Sequence, residues 1–363
     1  MAETERKTEN ISDYCRWRGD LSFEERPLNV IDSFVLCELS YVDFSRVITE
    51  MDPKGRKLSD CAREIEERGI YALKNLYGGE EQFFKACAST VRFGSLLLRN
   101  YMEIFDEGEN IQFAAMEFDL GNHISFIAFR GTDNSITGWK EDFMTSFTRI
   151  PSQTSAAEYL AEIFEEGRLY YIGGHSKGGN LARYAAAHLK DEQLPHILHV
   201  YDLDGPGFSA DTFDLSLIHR IDLLTTRVLP CYCVIGKVFE TPVHDTHIIA
   251  SSQTGILQHD LVSWKLDGLF PVYEKKHDQV SEWISRTVHV WVKDVSKEER
   301  QLFVDEFFDM LRADGAETVQ EIGTRNIVEV LRSMMSASDL SKKLLKELAA
   351  AAVTAGFGSQ SSG

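Results

Sequence analysis

Apolar positions along the chain change period several times, and each change marks an element. Between Leu28 and Phe44, Val30, Ile31, Phe34, Val35 and Leu39 recur at helical spacing, the stripe of an amphipathic helix. Asp52-Pro53-Lys54-Gly55 is a turn signal, and Leu58 to Tyr71 reads as a charged helix. From Ile111 to Leu120 and from His123 to Arg130 the pattern alternates with period two around Gly121-Asn122, which predicts a hairpin. Ile136, Trp139, Phe143 and Phe147 return to helical spacing, and a helix over Ser155–Glu166 follows Pro151. Leu169 to Ile172 reads as a buried strand and Leu181 to Leu189 as an Ala-rich helix. His199 to Asp204 is a further strand, closed by Gly205-Pro206-Gly207. Leu215–Leu224 predicts a helix, and Thr226–Ile235 and Thr246–Ala250 predict strands.

Strands alternating with helices imply an α/β fold, a mostly parallel sheet flanked by helices. Residues 1–20 read as a polar tail with some order around Tyr14 and Trp17, 21–290 as the main domain with a helical N-terminal lead-in, and 291–355 as a C-terminal helical extension packed on the core. Ser296-Lys297-Glu298-Glu299 is a capping-box signature opening that extension. Residues 356–363 read as a frayed end, and no internal repeat is present.

Bulk properties narrow the function classes. The 363 residues are 43% hydrophobic, enough for a real core. A formal charge of −19, from 38 basic and 57 acidic residues, argues against nucleic acid or anionic membrane as the main partner. No run approaches the roughly 20 apolar residues of a membrane span, and residues 1–20 lack the apolar core of a signal peptide. The expectation is therefore a cytoplasmic chain without a transmembrane segment, its oligomeric state open. The six cysteines are scattered and read as reduced thiols. Cys231-Tyr232-Cys233 lacks the second pair that a metal site would need. Neither a metal nor a cofactor is expected.

The chemistry concentrates in Gly174-His175-Ser176-Lys177-Gly178, which lies between the Leu169–Ile172 strand and the Ala-rich helix. This fits the G-x-S-x-G nucleophile elbow, a strand–turn–helix so tight that a Cβ at either flanking glycine would clash. Ser176 is the candidate nucleophile; the plainer alternative is a simple helix N-cap. A serine hydroxyl needs a base. Among the downstream histidines, His259 falls in a loop after the last predicted strand, where such a base belongs. Asp202 and Asp204 share one strand face, and Asp204, nearer the C-terminal end, is the first choice to orient His259. Asp245, Asp260 and Asp222 remain alternatives. An oxyanion hole would use the backbone N–H of Lys177 and Thr132 of Arg130-Gly131-Thr132-Asp133, while the Lys177 side chain reads as solvated.

Two resemblances follow from these residues. Phe129 to Asp142 together with Gly174 to Gly179 resembles the class 3 triacylglycerol lipases. That resemblance implies Thr132 as the oxyanion residue and a lid bearing Trp139, with Phe143 beside it. Asn29 to Asp32 through Leu39 to Tyr41, the Gly174–Asn180 elbow, Asp204 to Gly207 and Gln258 to Trp264 resemble a bacterial lipase-like family with an α/β-hydrolase core and no assigned substrate. Class 3 lipases carry their acid near the segment that corresponds to Val228–Gly236, which holds none here. Asp204, or a dyad without an acid, is the alternative. The expectation is an α/β-hydrolase-like serine hydrolase acting on acyl esters or lipids. The competing reading is an inactive member of the same fold that binds a lipid or a protein.

Overall fold

The computed structural model describes residues 9–73, 81–106, 108, 111–132, 144, 148–279, 281–283, 285–286, 295–296, 298–302, 305, 339, 342–343 and 346. Trp139, Phe143 and the rest of the Ile136–Phe147 stripe, apart from residue 144, lie outside these residues. So do residues 356–363 and most of the 291–355 extension. At its start the expected capping box is formed: Ser296 N–H donates to Glu299 Oε2 at 3.0 Å, and Glu299 N–H to Ser296 Oγ at 3.2 Å.

One sheet organises the chain. Its strands are β1 (Arg56–Lys57), β2 (Leu97–Asp106), β3 (Ile111–Gly121), β4 (Ile124–Phe129), β5 (Leu169–His175), β6 (Ile197–Leu203), β7 (Thr225–Pro230), β8 (Asp245–Ile249) and, after a small β9 (Leu266–Asp267)–β10 (Phe270–Pro271) hairpin, β11 (Tyr273–Glu274). The order is β1-β2-β3-β4-β5-β6-β7-β8-β11. Strands β4 to β8 are parallel neighbours, while β1 to β4 pair antiparallel and β11 closes the far edge antiparallel. The β3–β4 hairpin turns through Gly121, Asn122 and His123, all at positive φ.

Helices cover both faces. On one lie α1 (Ile11–Arg18), α2 (Val30–Leu39), α3 (Leu58–Arg68) and α4 (Glu81–Ala88), followed by the short α5 (Val91–Gly94); on the other lie α6 (Pro151–Glu162), α7 (Lys177–Ala187) and α8 (Leu215–His219). Period two sorts β4 between them. Phe126 and Ala128 join the core with Phe34, Leu98 and Trp264, whereas Ile127 and Phe129 join the core with Tyr159, Ile172 and Leu181. Helix α2 starts where its sequence says: Asn29 Oδ1 accepts from the N–H groups of Ile31 and Asp32, and Asp32 Oδ2 returns a bond to Asn29 N–H. The sheet order, the helices on both faces and the serine turn between β5 and α7 make this an α/β-hydrolase-like fold.

Several elements differ from the sequence reading. Part of the expected polar tail is helix α1, whose Ile11, Tyr14 and Cys15 are fully buried. Its polar residues are mostly structural: Asn10 caps the helix, and the Tyr14 hydroxyl donates to buried Asp32 at 3.0 Å. Asp32 in turn pairs with the buried Arg92 guanidinium at 2.6 Å. Strand β2 carried no periodic signal because it bulges at Asn100 (φ 48°), shifting register between Arg99 and Met102. The strand expected over Thr226–Ile235 ends at Pro230, and the helix expected over Leu215–Leu224 ends at His219. No helix among the described residues is long and apolar enough to cross a membrane.

Candidate active site

Ser176 joins β5 to α7 with φ 58° and ψ −131°, a backbone that L-residues rarely adopt. Its flanking glycines have no alternative. A Cβ at Gly174 would stand 2.1 Å from the Gly178 carbonyl oxygen, and one at Gly178 would stand 2.1 Å from the Phe129 carbonyl oxygen. The Ser176 side chain makes no capping bond, and its dihedrals are not those of an N-cap. The turn is anchored from below, since Ser176 N–H donates to the Leu203 carbonyl at 2.9 Å.

Leu203 ends β6, and Asp204 follows it at φ 54°. Asp204 is buried, and its Oδ2 accepts from His259 Nδ1 at 2.5 Å. A carboxylate can only accept, so the Nδ1 proton is on His259 and Nε2 is its basic nitrogen. Asp204 Oδ1 accepts from Cys233 Sγ at 3.0 Å and from Gly236 N–H at 3.1 Å. Burial, with the Asp204 charge beside it, holds the Cys233 thiol well above the usual thiol range, so it serves as a neutral donor. Cys233 and Gly236 belong to the segment where class 3 lipases were expected to carry their acid. Here that segment donates hydrogen bonds to an acid one strand away.

The other candidate acids are engaged elsewhere. Asp245 accepts from Thr226 and pairs with His247 at 2.7 Å. Asp222 pairs with His219 at 2.7 Å, and Asp260 caps Val262 N–H at 3.0 Å. No group of His, Cys, Asp or Glu among the described residues is arranged to hold a metal ion.

His259 ends a 3-10 turn, Gly255–His259, that is pinned at three points. Gln258 Oε1 accepts from Tyr232 N–H at 2.8 Å, and the Gln258 carbonyl accepts from the buried Trp264 indole at 2.9 Å. The His259 carbonyl accepts from His175 Nε2 at 2.8 Å. The His175 and His259 ring centroids are 4.4 Å apart, which brings His259 alongside the residue preceding Ser176. Burial first, and the neighbouring His259 second, hold His175 well below the usual histidine range, so it is neutral. With its proton on Nε2, His175 Nδ1 accepts from the Tyr41 hydroxyl at 3.0 Å.

The loop leaving β4 reaches the same place. A Cβ on Gly131 would lie 3.1 Å from Ser176 Cβ, 2.5 Å from the His175 carbonyl oxygen and 2.2 Å from the Tyr41 hydroxyl. Only glycine lets this loop approach the elbow so closely. Next to it, Thr132 is buried, and its Oγ1 has no hydrogen-bond partner among the described residues. Lys177 opens α7, so its N–H belongs to the positive end of that helix. Its side chain is not solvated as expected: it is fully buried, with Nζ donating to the Gln112 carbonyl at 2.8 Å. The cramped elbow turns this residue under the start of β3, and the long aliphatic stem makes that burial possible.

Sequence reasoning passed over four residues that frame the site: Tyr41, His175, Asn180 and Arg227. Asn180 Nδ2 donates to the carbonyls of Pro206 and Gly207, both at 3.1 Å, tying α7 to the loop after Asp204. The signal was present for Tyr41, His175 and Asn180, which lie in the segments that carried the family resemblance, but resemblance alone assigned them no contact.

A family model described as Mbeg1-like matches residues 87–309. No curated protein matches the chain. Among solved structures, the M37 lipase is 15% identical with a TM-score of 0.32, the match covering 56% of this chain and 68% of that one. A native lipase–propeptide complex from Rhizomucor miehei is 14% identical with a TM-score of 0.34, covering 61% and 67%. A mutant form of MDLA from Penicillium cyclopium is 13% identical with a TM-score of 0.36, covering 70% and 88%. The matched residues of the family model run from α4 past the last strand of the sheet and take in the elbow, Asp204 and His259. The chain belongs to the Mbeg1-like family.

Proposed function

We propose that the chain is a serine hydrolase that cleaves acyl esters of small molecules or lipids. The observation that carries the reading is the buried His259 Nδ1–Asp204 Oδ2 bond of 2.5 Å beside a strained serine elbow. His259 Nε2 takes the proton of Ser176 Oγ as that oxygen bonds to the ester carbonyl carbon. The tetrahedral oxyanion is met by the Lys177 N–H and by Thr132, whose Oγ1, unpartnered among the described residues, supplies a donor. Collapse breaks the bond to the alkoxide, which leaves with the proton from His259. Water then attacks the acyl-serine, giving its proton to His259; the acid is released and the proton returns to Ser176. Asp204 keeps the His259 tautomer correct and stabilises the imidazolium formed in each half.

The test is hydrolysis of p-nitrophenyl esters of graded acyl length by the wild type, Ser176→Ala and His259→Ala. Saturable turnover by the wild type, lost in both variants, is expected. A wild type no faster than Ser176→Ala across the series overturns the reading, leaving a hydrolase-fold binding protein.

A further inference from the structure

The acid stands between two loops that a single side chain ties together, and from this we propose that Arg227 is a positioning residue for the Asp204–His259 pair. The proposal rests on the hydrolase reading above. Arg227 lies in β7 and is fully buried. Its Nη2 donates to the carbonyls of Gly205 and Gly236, each at 2.6 Å, and its Nε donates to Asp202 Oδ2 at 3.0 Å. Gly205 is the residue after Asp204, and Gly236 is the residue whose N–H donates to Asp204 Oδ1. One guanidinium therefore fixes both the chain that carries the acid and the donor that orients it from the other side.

Asp202 completes the frame. Its Oδ1 accepts from Gly205 N–H at 2.9 Å, while its Oδ2 is also 3.4 Å from Arg183 of α7. There is no slack around it. A Cβ on Gly205 would lie 2.4 Å from Asp202 Oδ1, and one on Gly236 would lie 2.5 Å from Asp204 Oδ1. Arg183 and Arg227 both face Asp202, with Glu240 3.9 Å from Arg227 Nη1 and in turn paired with Lys237 at 3.1 Å, which also meets Glu282 at 3.4 Å. A planar guanidinium presents donors to three acceptors in a fixed fork, which an ammonium cannot reproduce. Arg227 touches neither substrate nor the reacting atoms; it acts through the acid.

The experiment compares the full-length wild type, Arg227→Lys and Arg227→Met. Active serines are titrated with a fluorophosphonate, and ester hydrolysis is expressed per titrated Ser176. Misplacing a catalytic group by about 1 Å costs about 100-fold in rate. The expectation is therefore a kcat per titrated site lower by about that factor in Arg227→Met, with KM within about twofold and part of the loss restored in Arg227→Lys. A merely structural arginine would reduce the number of titratable sites and the melting temperature but leave kcat per site unchanged. That result, in either variant that folds, overturns the proposal. Absence of turnover in the wild type overturns the hydrolase reading itself, whereas an active wild type with unaltered kcat in Arg227→Lys removes only the role of Arg227.

Discussion

Replacing Ser176 by glycine is expected to make the protein more stable and replacing it by alanine is not. The reason lies in the backbone. At φ 58° and ψ −131°, any side chain with a Cβ is strained, and such residues cost about 1–3 kcal/mol. The strain cannot relax, because Ser176 N–H is held by the Leu203 carbonyl and the Ser176 carbonyl accepts from Gly179 N–H, both at 2.9 Å. Alanine keeps the Cβ and the strain. Glycine removes both, but its freer unfolded chain costs about 0.5–1 kcal/mol in return. The net difference is about 1 kcal/mol in favour of Ser176→Gly over Ser176→Ala, from the same two ranges. At an ordinary position the order would be reversed. Equilibrium urea denaturation of the two variants, both lacking the nucleophile, reads the difference directly. A Gly variant equal to or weaker than the Ala variant would refute the claim that the elbow stores strain.

Three further outcomes follow from the same geometry. Thr132→Val is expected to lower kcat by about 100-fold or more if its hydroxyl meets the oxyanion. It should also raise stability by about 1 kcal/mol, because an unpartnered buried hydroxyl is replaced by a methyl; paired kinetics and denaturation check both signs, and unchanged kcat removes Thr132 from the site. Arg92→Met is expected to destabilise the fold by about 3–5 kcal/mol, since it strands buried Asp32 without its partner, and a loss below about 1 kcal/mol in urea would contradict that pairing. The third concerns pH. The folded His175 binds its proton less readily than the unfolded value of about 6.5, so the unfolded state takes up more protons on acidification. Its contribution is fully present above about pH 6.5 and declines below it, approaching about 1.4 kcal/mol per pH unit. His188, His199 and His277 are shifted by burial in the same direction and add to the slope. Denaturation between pH 7.5 and 5 should show a shallower slope in His175→Gln; an equal slope contradicts the assignment.

Much of the sheet was legible because its strands are buried on one or both faces and bounded by turns. Leu169 to Ile172, His199 to Asp204 and the hairpin about Gly121 all obey local rules, and the glycines around Ser176 encode a steric demand that no other residue meets. Chain order and loop position singled out His259, and a place near a strand end singled out Asp204; the structure brings these two side chains into hydrogen-bond contact. What stayed hidden depends on contacts distant in sequence. Lys177 reads as solvated because lysines at helix starts usually are, and only the packing of the elbow under β3 buries it. Helix α1 looks polar because the partner of its Tyr14 hydroxyl, Asp32, and the Arg92 that pairs with Asp32 lie far along the chain. The bulge at Asn100 erased the alternation of β2. Arg227 sits in the strand Thr225–Pro230, whose local sequence gave no hint that a guanidinium would bridge Gly205 and Gly236.

The most direct measurement of the central claim is covalent labelling with a fluorophosphonate followed by peptide mass spectrometry. The expected result is one adduct per chain on the peptide containing Ser176, absent in Ser176→Ala and greatly slowed in His259→Ala. A folded wild type that takes no label, or an adduct that persists in Ser176→Ala, contradicts a nucleophile at the elbow.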